Sequence, residues 1–102
     1  MSAAETVVVV ANWQTTDASL DTVLGHLAEL QPKSLAEPGS LGYEVLRSLE
    51  ERTSLVLVEH YRDEAALDAH LNSSHYQDLV VGRIRPLLTD RRVEFLRPRE
   101  AT

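Results

Sequence analysis

The 102-residue sequence contains no cysteine, which excludes disulfide bonds, thiolate metal sites and a thiol nucleophile. It also lacks a long hydrophobic run, because the longest one, Val7–Ala11, is far too short to cross a membrane. No charged segment followed by an apolar one marks a signal peptide at its start. We therefore expect a cytoplasmic protein without a membrane partner.

Basic residues are also scarce. The sequence has ten Lys and Arg against sixteen Asp and Glu, which gives a net charge of −6. Nucleic-acid binding needs a concentrated basic patch. Close groups such as Arg91-Arg92 and Arg97-Pro98-Arg99 are typical of a solvated surface, so no nucleic-acid partner is expected. Glycine-rich nucleotide motifs and GxSxG are absent, and nothing supports NAD, ATP or serine-hydrolase chemistry.

What the chain does contain is an ordinary globular composition, with 43% hydrophobic and 25% charged residues. A chain of 102 residues has room for one small domain. We therefore predict a single domain over residues 1–102, with an ordered core of about residues 5–97 and frayed ends at 1–4 and 98–102.

Apolar periodicity predicts the element order β-α-β-β-α-α-β. Thr16 or Asp17 can cap the first helix, Pro32 should kink it rather than end it, and Pro38-Gly39 should stop it. The predicted strands are Thr6–Trp13, Leu41–Leu49, Thr53–Arg62 and Arg91–Leu96. The second helix should span Glu64–Asn72 after the cap Asp63, and the third should begin at Ser73 or Ser74 and bury Tyr76, Leu79, Val80, Arg83, Ile84 and Leu87.

This order predicts an α+β, ferredoxin-like sandwich with an antiparallel sheet and helices on one face. A sheet with one wet face should alternate apolar and polar residues. Val7–Ala11 and Leu55–Val58 do not alternate, so both faces of these strands should be dry. The helices can cover only one face, and a second copy of the sheet is the simplest cover for the other. The sequence thus predicts a homodimer whose two sheets pack into a barrel.

Two segments carry a resemblance to a known family. The strand and helix from Ser54 to Tyr76, together with the upstream segment Glu37–Val45, resemble the antibiotic biosynthesis monooxygenase (ABM) family, and the resemblance covers nearly the whole chain. It implies a small, dimeric α+β barrel. Many such proteins oxidise phenols or quinols without a metal or flavin, so we expect no cofactor.

His70 is the first candidate for catalysis. It lies three residues after Leu67 and beside Leu71, near the apolar face of the second helix. An imidazole there can act as a base or acid near neutral pH. The alternative is a core histidine that is satisfied by a backbone carbonyl. The resemblance places a pocket on this side and favours the catalytic interpretation.

Asn12 is the second catalytic candidate, because asparagine forms strands poorly and yet ends a valine run. It could simply begin the loop. The resemblance implies instead that an asparagine here lines the pocket and donates to bound oxygen or an oxyanion. Trp13, Tyr43, His75 and Tyr76 are candidates for substrate binding, with plain packing, or a helix start for His75, as the alternative.

Glu59 and Tyr61 share one face of strand 3. A carboxylate inside a barrel is costly unless it is paired. Arg47, Arg62 or a backbone N–H of the other subunit could pair with it. We expect Glu59 to form a structural hydrogen bond rather than to act in catalysis.

The spacing of the histidines predicts no metal site. His70 and His75 are five residues apart, rather than the four that place two ligands on one helical face. Related haem-degrading enzymes use an asparagine on strand 1, which Asn12 matches. Their tryptophan position holds His70 here, and their iron-ligand position falls near Val80. Two of the three positions differ, so no haem is expected.

The resulting hypothesis is a cofactor-independent monooxygenase that oxidises a phenolic, quinol or anthrone-like aromatic with O2. His70 would remove a phenolic proton, and Asn12 would donate to the oxyanion or peroxide. One alternative is an isomerase or binder of a small polar metabolite. Another is a non-enzymatic, ligand-binding dimeric module, since fold does not fix function.

Overall fold

The computed structural model describes residues 5–99, and four strands and three helices follow the predicted order. The predicted frayed end at 1–4 lies outside the described residues, as do residues 100–102. The strands are β1 (Val7–Gln14), β2 (Ser40–Arg47), β3 (Ser54–Tyr61) and β4 (Asp90–Leu96). The helices are α1 (Asp17–Leu35), α2 (Glu64–Leu71) and α3 (Tyr76–Ile84), and a short 3-10 turn follows at Arg85–Leu87.

The four strands form one antiparallel sheet in the order β2-β3-β1-β4. This confirms the ferredoxin-like α+β fold. In β1, buried and half-buried residues alternate, because successive side chains of a strand point to opposite faces. Trp13 faces the helices with the buried core, whereas its neighbour Asn12 lies on the opposite face. In β3 the same alternation buries Glu59 and Tyr61 on the helix side.

Helix α1 begins where the hydroxyl of Thr16 accepts a hydrogen bond from the backbone N–H of Ser19. It continues through Pro32 for three more residues and ends at Leu35, before the predicted stop at Pro38-Gly39. One apolar stripe of the helix packs on the sheet and provides much of the main core. Its buried members are Leu20, Val23, Leu27 and Leu30.

The second helix begins at the predicted cap, since the carboxylate of Asp63 accepts from the N–H of Ala66 at 2.8 Å. Helix α3 has π geometry. This geometry is rare in proteins, and where it occurs it is often at a functional site. It buries Leu79, Val80 and Ile84. The prediction that Arg83 is buried is wrong, because its guanidinium reaches out to Asp78 at the surface.

On the face of the sheet opposite the helices, the side chains of the central strands are only half-buried in a single protomer. Four valines from the two central strands lie on it, namely Val8, Val10, Val56 and Val58. We call this surface the open sheet face. Within residues 5–99, no helix is both long enough and apolar enough to span a bilayer.

Candidate functional site

A cavity of about 30 Å³ lies between the helix side of the sheet and helices α2 and α3. The cavity is narrow. An aromatic ring would therefore fit only if half-buried side chains in its wall changed conformation. Five of the lining residues have polar side-chain atoms: Trp13, Tyr43, Glu59, Tyr76 and Arg91. Most of the remaining wall is apolar and includes Val9, Ala11, Leu67, Leu71, Val80 and Val93.

Glu59 is the buried carboxylate of this cavity, with only 6% of its surface exposed. The hydroxyl of Tyr61 donates to its Oε1 at 2.5 Å, and Nε2 of His70 lies 3.6 Å from the same oxygen. Burial raises the pKa of Glu59 to about 7, against the opposing effect of the Tyr61 hydrogen bond. The carboxyl therefore changes charge near neutral pH, as a general base must. Tyr61 and His70, rather than an arginine, are its partners.

His70 is 1% exposed and lies behind the cavity wall rather than in it. Its Nδ1 is 2.8 Å from Oε2 of Glu37. Burial lowers the pKa of His70, and the hydrogen bond to Glu37 partly opposes that effect. The rings of Tyr61 and Tyr76 each lie 5.1 Å from the imidazole, centre to centre. The predicted base thus has no direct access to the cavity and reaches it only through Glu59.

Glu37 completes the cluster, and only an indirect signal in the sequence pointed to it. It follows α1 and precedes Gly39, which packs so closely against α2 that an added Cβ would lie 2.3 Å from the Cβ of Ala66. This close approach brings the Glu37 carboxylate to the histidines of the two later helical segments. Nε2 of His75 lies 2.5 Å from Oε2 of Glu37, so both imidazoles share one oxygen.

The five-residue spacing of His70 and His75 does not keep their imidazoles apart, so the premise from which no metal site was predicted is wrong. One potential ligand atom from each of Glu37, His70 and His75 lies within 4.8 Å of the others. Two imidazoles and a carboxylate form a donor set that transition metals accept. The three side chains already hydrogen-bond one another. The expected absence of a metal stays a prediction.

The other predicted site residues divide between the two sides of the sheet. Trp13, Tyr43 and Tyr76 line the cavity, as expected for substrate-binding residues. His75 contacts Glu37 instead of the cavity. Asn12 pairs with Val56 and Arg92 on the open sheet face. Within a protomer the structure therefore does not bring Asn12 and His70 together.

Trp13 is a candidate hydrogen-bond donor on the helix side of the sheet, where Asn12 does not lie. Its side chain is buried and lines the cavity, and its Nε1 has no hydrogen-bond partner among residues 5–99. An unpaired buried N–H is costly, and a ligand oxygen would satisfy it. Arg91 pairs with Trp13 across β1 and β4, and both residues line the cavity.

The raised pKa of Glu59 predicts a pH-dependent stability. The folded protein holds this proton more tightly than the unfolded chain, so stability is lost as pH rises from about 4.5 through about 7. Such a shift corresponds to about 3 kcal/mol. Glu59→Gln removes the buried charge, and its free energy of unfolding relative to the original protein should therefore rise by about 3 kcal/mol between pH 4.5 and pH 8.

Urea unfolding at fixed protein concentration measures this difference, with the exposed Glu29→Gln as the matched control. The control should show no such dependence on pH. A Glu59→Gln difference that is the same at both pH values would contradict the raised pKa.

Comparisons with known proteins agree with the resemblance seen in the sequence. The relative “Putative monooxygenase YcnE” of Bacillus subtilis (strain 168) is 32% identical over 57 residues, or 56% of this chain. That match spans 60% of the length of the relative. Rv0793 of Mycobacterium tuberculosis is 29% identical, with a TM-score of 0.87 over 94% of this chain and 97% of its own.

A crystal structure described as an antibiotic biosynthesis monooxygenase is 27% identical, with a TM-score of 0.86 over 92% of this chain and 99% of its own. The sequence profile described as “Antibiotic biosynthesis monooxygenase” matches residues 6–81, which is well over half of the chain. On this evidence the chain belongs to the antibiotic biosynthesis monooxygenase family.

Proposed function

We propose that the protein is a cofactor-independent monooxygenase that oxidises a phenolic, quinol or anthrone-like aromatic with O2. One observation carries the proposal: the carboxyl of Glu59, whose pKa is raised to about 7, lines a largely apolar cavity. Such a cavity favours an aromatic ring, and a near-neutral carboxylate can remove a phenolic proton. The family match supports monooxygenase chemistry in general.

Two polar groups of the cavity wall lie far apart along the strands. Glu59 pairs with Val9, and Trp13 lies four residues further along β1. A strand advances about 3.3 Å per residue, so these positions are about 13 Å apart along the backbone. A hydroxyl would give its proton to Glu59, while a second oxygen would accept from Nε1 of Trp13 or from Arg91. An elongated aromatic with oxygens at both ends fits this pattern.

The proposed reaction needs no external reductant. Glu59 takes the phenolic proton, and the electron-rich anion gives one electron to O2. The substrate radical and superoxide then combine to form a carbon–oxygen bond, which gives a peroxide. The peroxide receives a proton, loses the remaining hydrogen of that carbon and breaks its O–O bond. One oxygen atom remains as the new carbonyl and the other leaves in water. The dry cavity strengthens the donors that face the anion.

We further propose that the active form is a cytoplasmic homodimer in which two open sheet faces pack together. The half-buried valines Val8, Val10, Val56 and Val58 support this arrangement. A stable interface of this kind would bury more than about 1,200 Å² in total.

Oxygen uptake by the purified protein with a panel of quinols and anthrones tests the proposed function. An accepted substrate should consume one O2 per carbonyl formed, with one labelled oxygen atom from ¹⁸O2 in the product and no hydrogen peroxide. Its O-methyl ether should be inert, because it has no proton for Glu59 to remove. Tight binding of panel members without oxygen uptake would indicate a ligand-binding module instead.

A further inference from the structure

We infer that His70 and Glu37 form a proton path between Glu59 and solvent, in which Glu37 also fixes the tautomer of His70 and is itself held by His75. The inference deepens the proposed function and rests on it. The path would carry the substrate proton away from the cavity and bring it back later in the reaction.

The geometry places the path between two separate spaces. Glu59 lines the cavity on one side. Glu37 lines an open groove on the other side, together with Pro38, Arg62 and Ala69. His70 is the buried link, with Nε2 3.6 Å from Glu59 and Nδ1 2.8 Å from Glu37. When a substrate fills the cavity, water cannot reach Glu59 from that side, so the base needs such a link to exchange protons.

The unequal distances indicate where neutral His70 carries its single proton. The 2.8 Å contact is a hydrogen bond, so Nδ1 donates to the Glu37 carboxylate. The 3.6 Å contact is too long for one, so Nε2 faces Glu59 as a free acceptor. This is the arrangement in which a carboxylate orients a histidine for proton transfer.

Proton transfer then balances over one turnover. Glu59 passes the substrate proton to Nε2 of His70 after the gap between them closes, and Nδ1 gives its proton to Glu37. Glu37 passes that proton to water in the open groove, because Nε2 of His75 already carries the proton that it donates to the Glu37 carboxylate. When the peroxide anion forms, one proton returns along the same atoms and protonates it. The return restores the starting tautomer of His70.

Two of the titratable groups around His70, Tyr43 and Tyr61, do not provide a competing path. Tyr43, Tyr61 and Tyr76 pack around the imidazole together with His75. Burial, with the negative charge of Glu59 as a second cause, raises the pKa of Tyr43 and of Tyr61 far above the ordinary value. These two phenols keep their protons at neutral pH.

Nitrogen-15 NMR of the histidine rings tests the path without a substrate. His70 should be protonated at Nδ1 in the original protein. Glu37→Leu removes the acceptor, so the His70 proton should move to Nε2 and donate to Glu59. The exposed Glu29→Leu is the matched control and should leave the His70 tautomer unchanged.

Glu37→Gln separates orientation from transfer, because its amide oxygen still accepts from Nδ1 but cannot carry the proton. It should keep the original tautomer, while turnover of an accepted quinol falls on the order of 10²-fold. Glu37→Asp should restore much of that rate.

Three results would overturn the path: a His70 proton at Nε2 in the original protein, an unchanged tautomer in Glu37→Leu, or an undiminished rate in Glu37→Gln. A metal ion held stoichiometrically by both imidazoles would overturn it as well. The NMR results stand even if no panel compound is oxidised, so failure of the path and failure of the monooxygenase proposal are distinguishable.

Discussion

Glu59→Gln is expected to lower turnover of an accepted quinol by on the order of 10²-fold or more, the scale of a positioned general base. Glutamine has nearly the same shape and can still accept the hydrogen bond from Tyr61. It cannot take a proton from the substrate. The variant should therefore stay folded and bind the quinol, so that the loss is found in kcat rather than in KM.

The pH dependence of the same reaction gives a second signature of Glu59. The base must be ionised to act, so the rate of the original protein should rise through an apparent pKa of about 7 and then level off. His70→Gln should slow turnover because it breaks the proposed path, but the rise with pH should remain, since Glu59 is still present. Full activity in Glu59→Gln would show that the base lies elsewhere.

The fold was predictable because it depends on patterns that are local in the sequence. The valine run, the leucine stripe of α1 and the cap Asp63 each specify an element without reference to the rest of the chain. The observed boundaries lie within about two or three residues of the predicted ones. The end of α1 was missed because Pro38-Gly39 is a strong stop signal, whereas the helix ends at Leu35 and leaves a short turn before it.

The cluster of Glu37, Glu59, His70 and His75 was less predictable because its members come from distant parts of the sequence. Glu37 and His70 are 33 residues apart, and only the packing of Gly39 against α2 brings them together. No periodicity in the chain signals that approach. The pKa of Glu59 depends in the same way on how completely the helices bury it.

The placement of Asn12 could have been questioned from the sequence alone. Asn12 and Trp13 are neighbours in one strand, and neighbours in a strand point to opposite faces. They therefore could not both line one cavity within a protomer. The apolar character of Val9 and Ala11 assigns Trp13 to the helix side and Asn12 to the open sheet face.

Val56→Lys is expected to convert the proposed homodimer into a folded monomer at low micromolar concentration. Val56 lies on the open sheet face and pairs with Asn12 and Leu46, so no carboxylate stands opposite it in the register. A lysine there would place a charge within the apolar interface of the dimer. Such burial costs several kcal/mol per ion, and the two-fold symmetry would apply that cost twice. In a monomer the same ammonium group remains in water.

Sedimentation equilibrium measures this change, and circular dichroism checks that the variant is folded. Leu49→Lys is the matched control, because Leu49 is fully exposed beyond the end of β2. It introduces the same charge away from the open sheet face and should leave the dimer intact. If Val56→Lys associates as tightly as the original protein, the subunits meet through another surface. If the original protein is itself a stable monomer, the half-buried valines tolerate water and the argument from non-alternating strands fails.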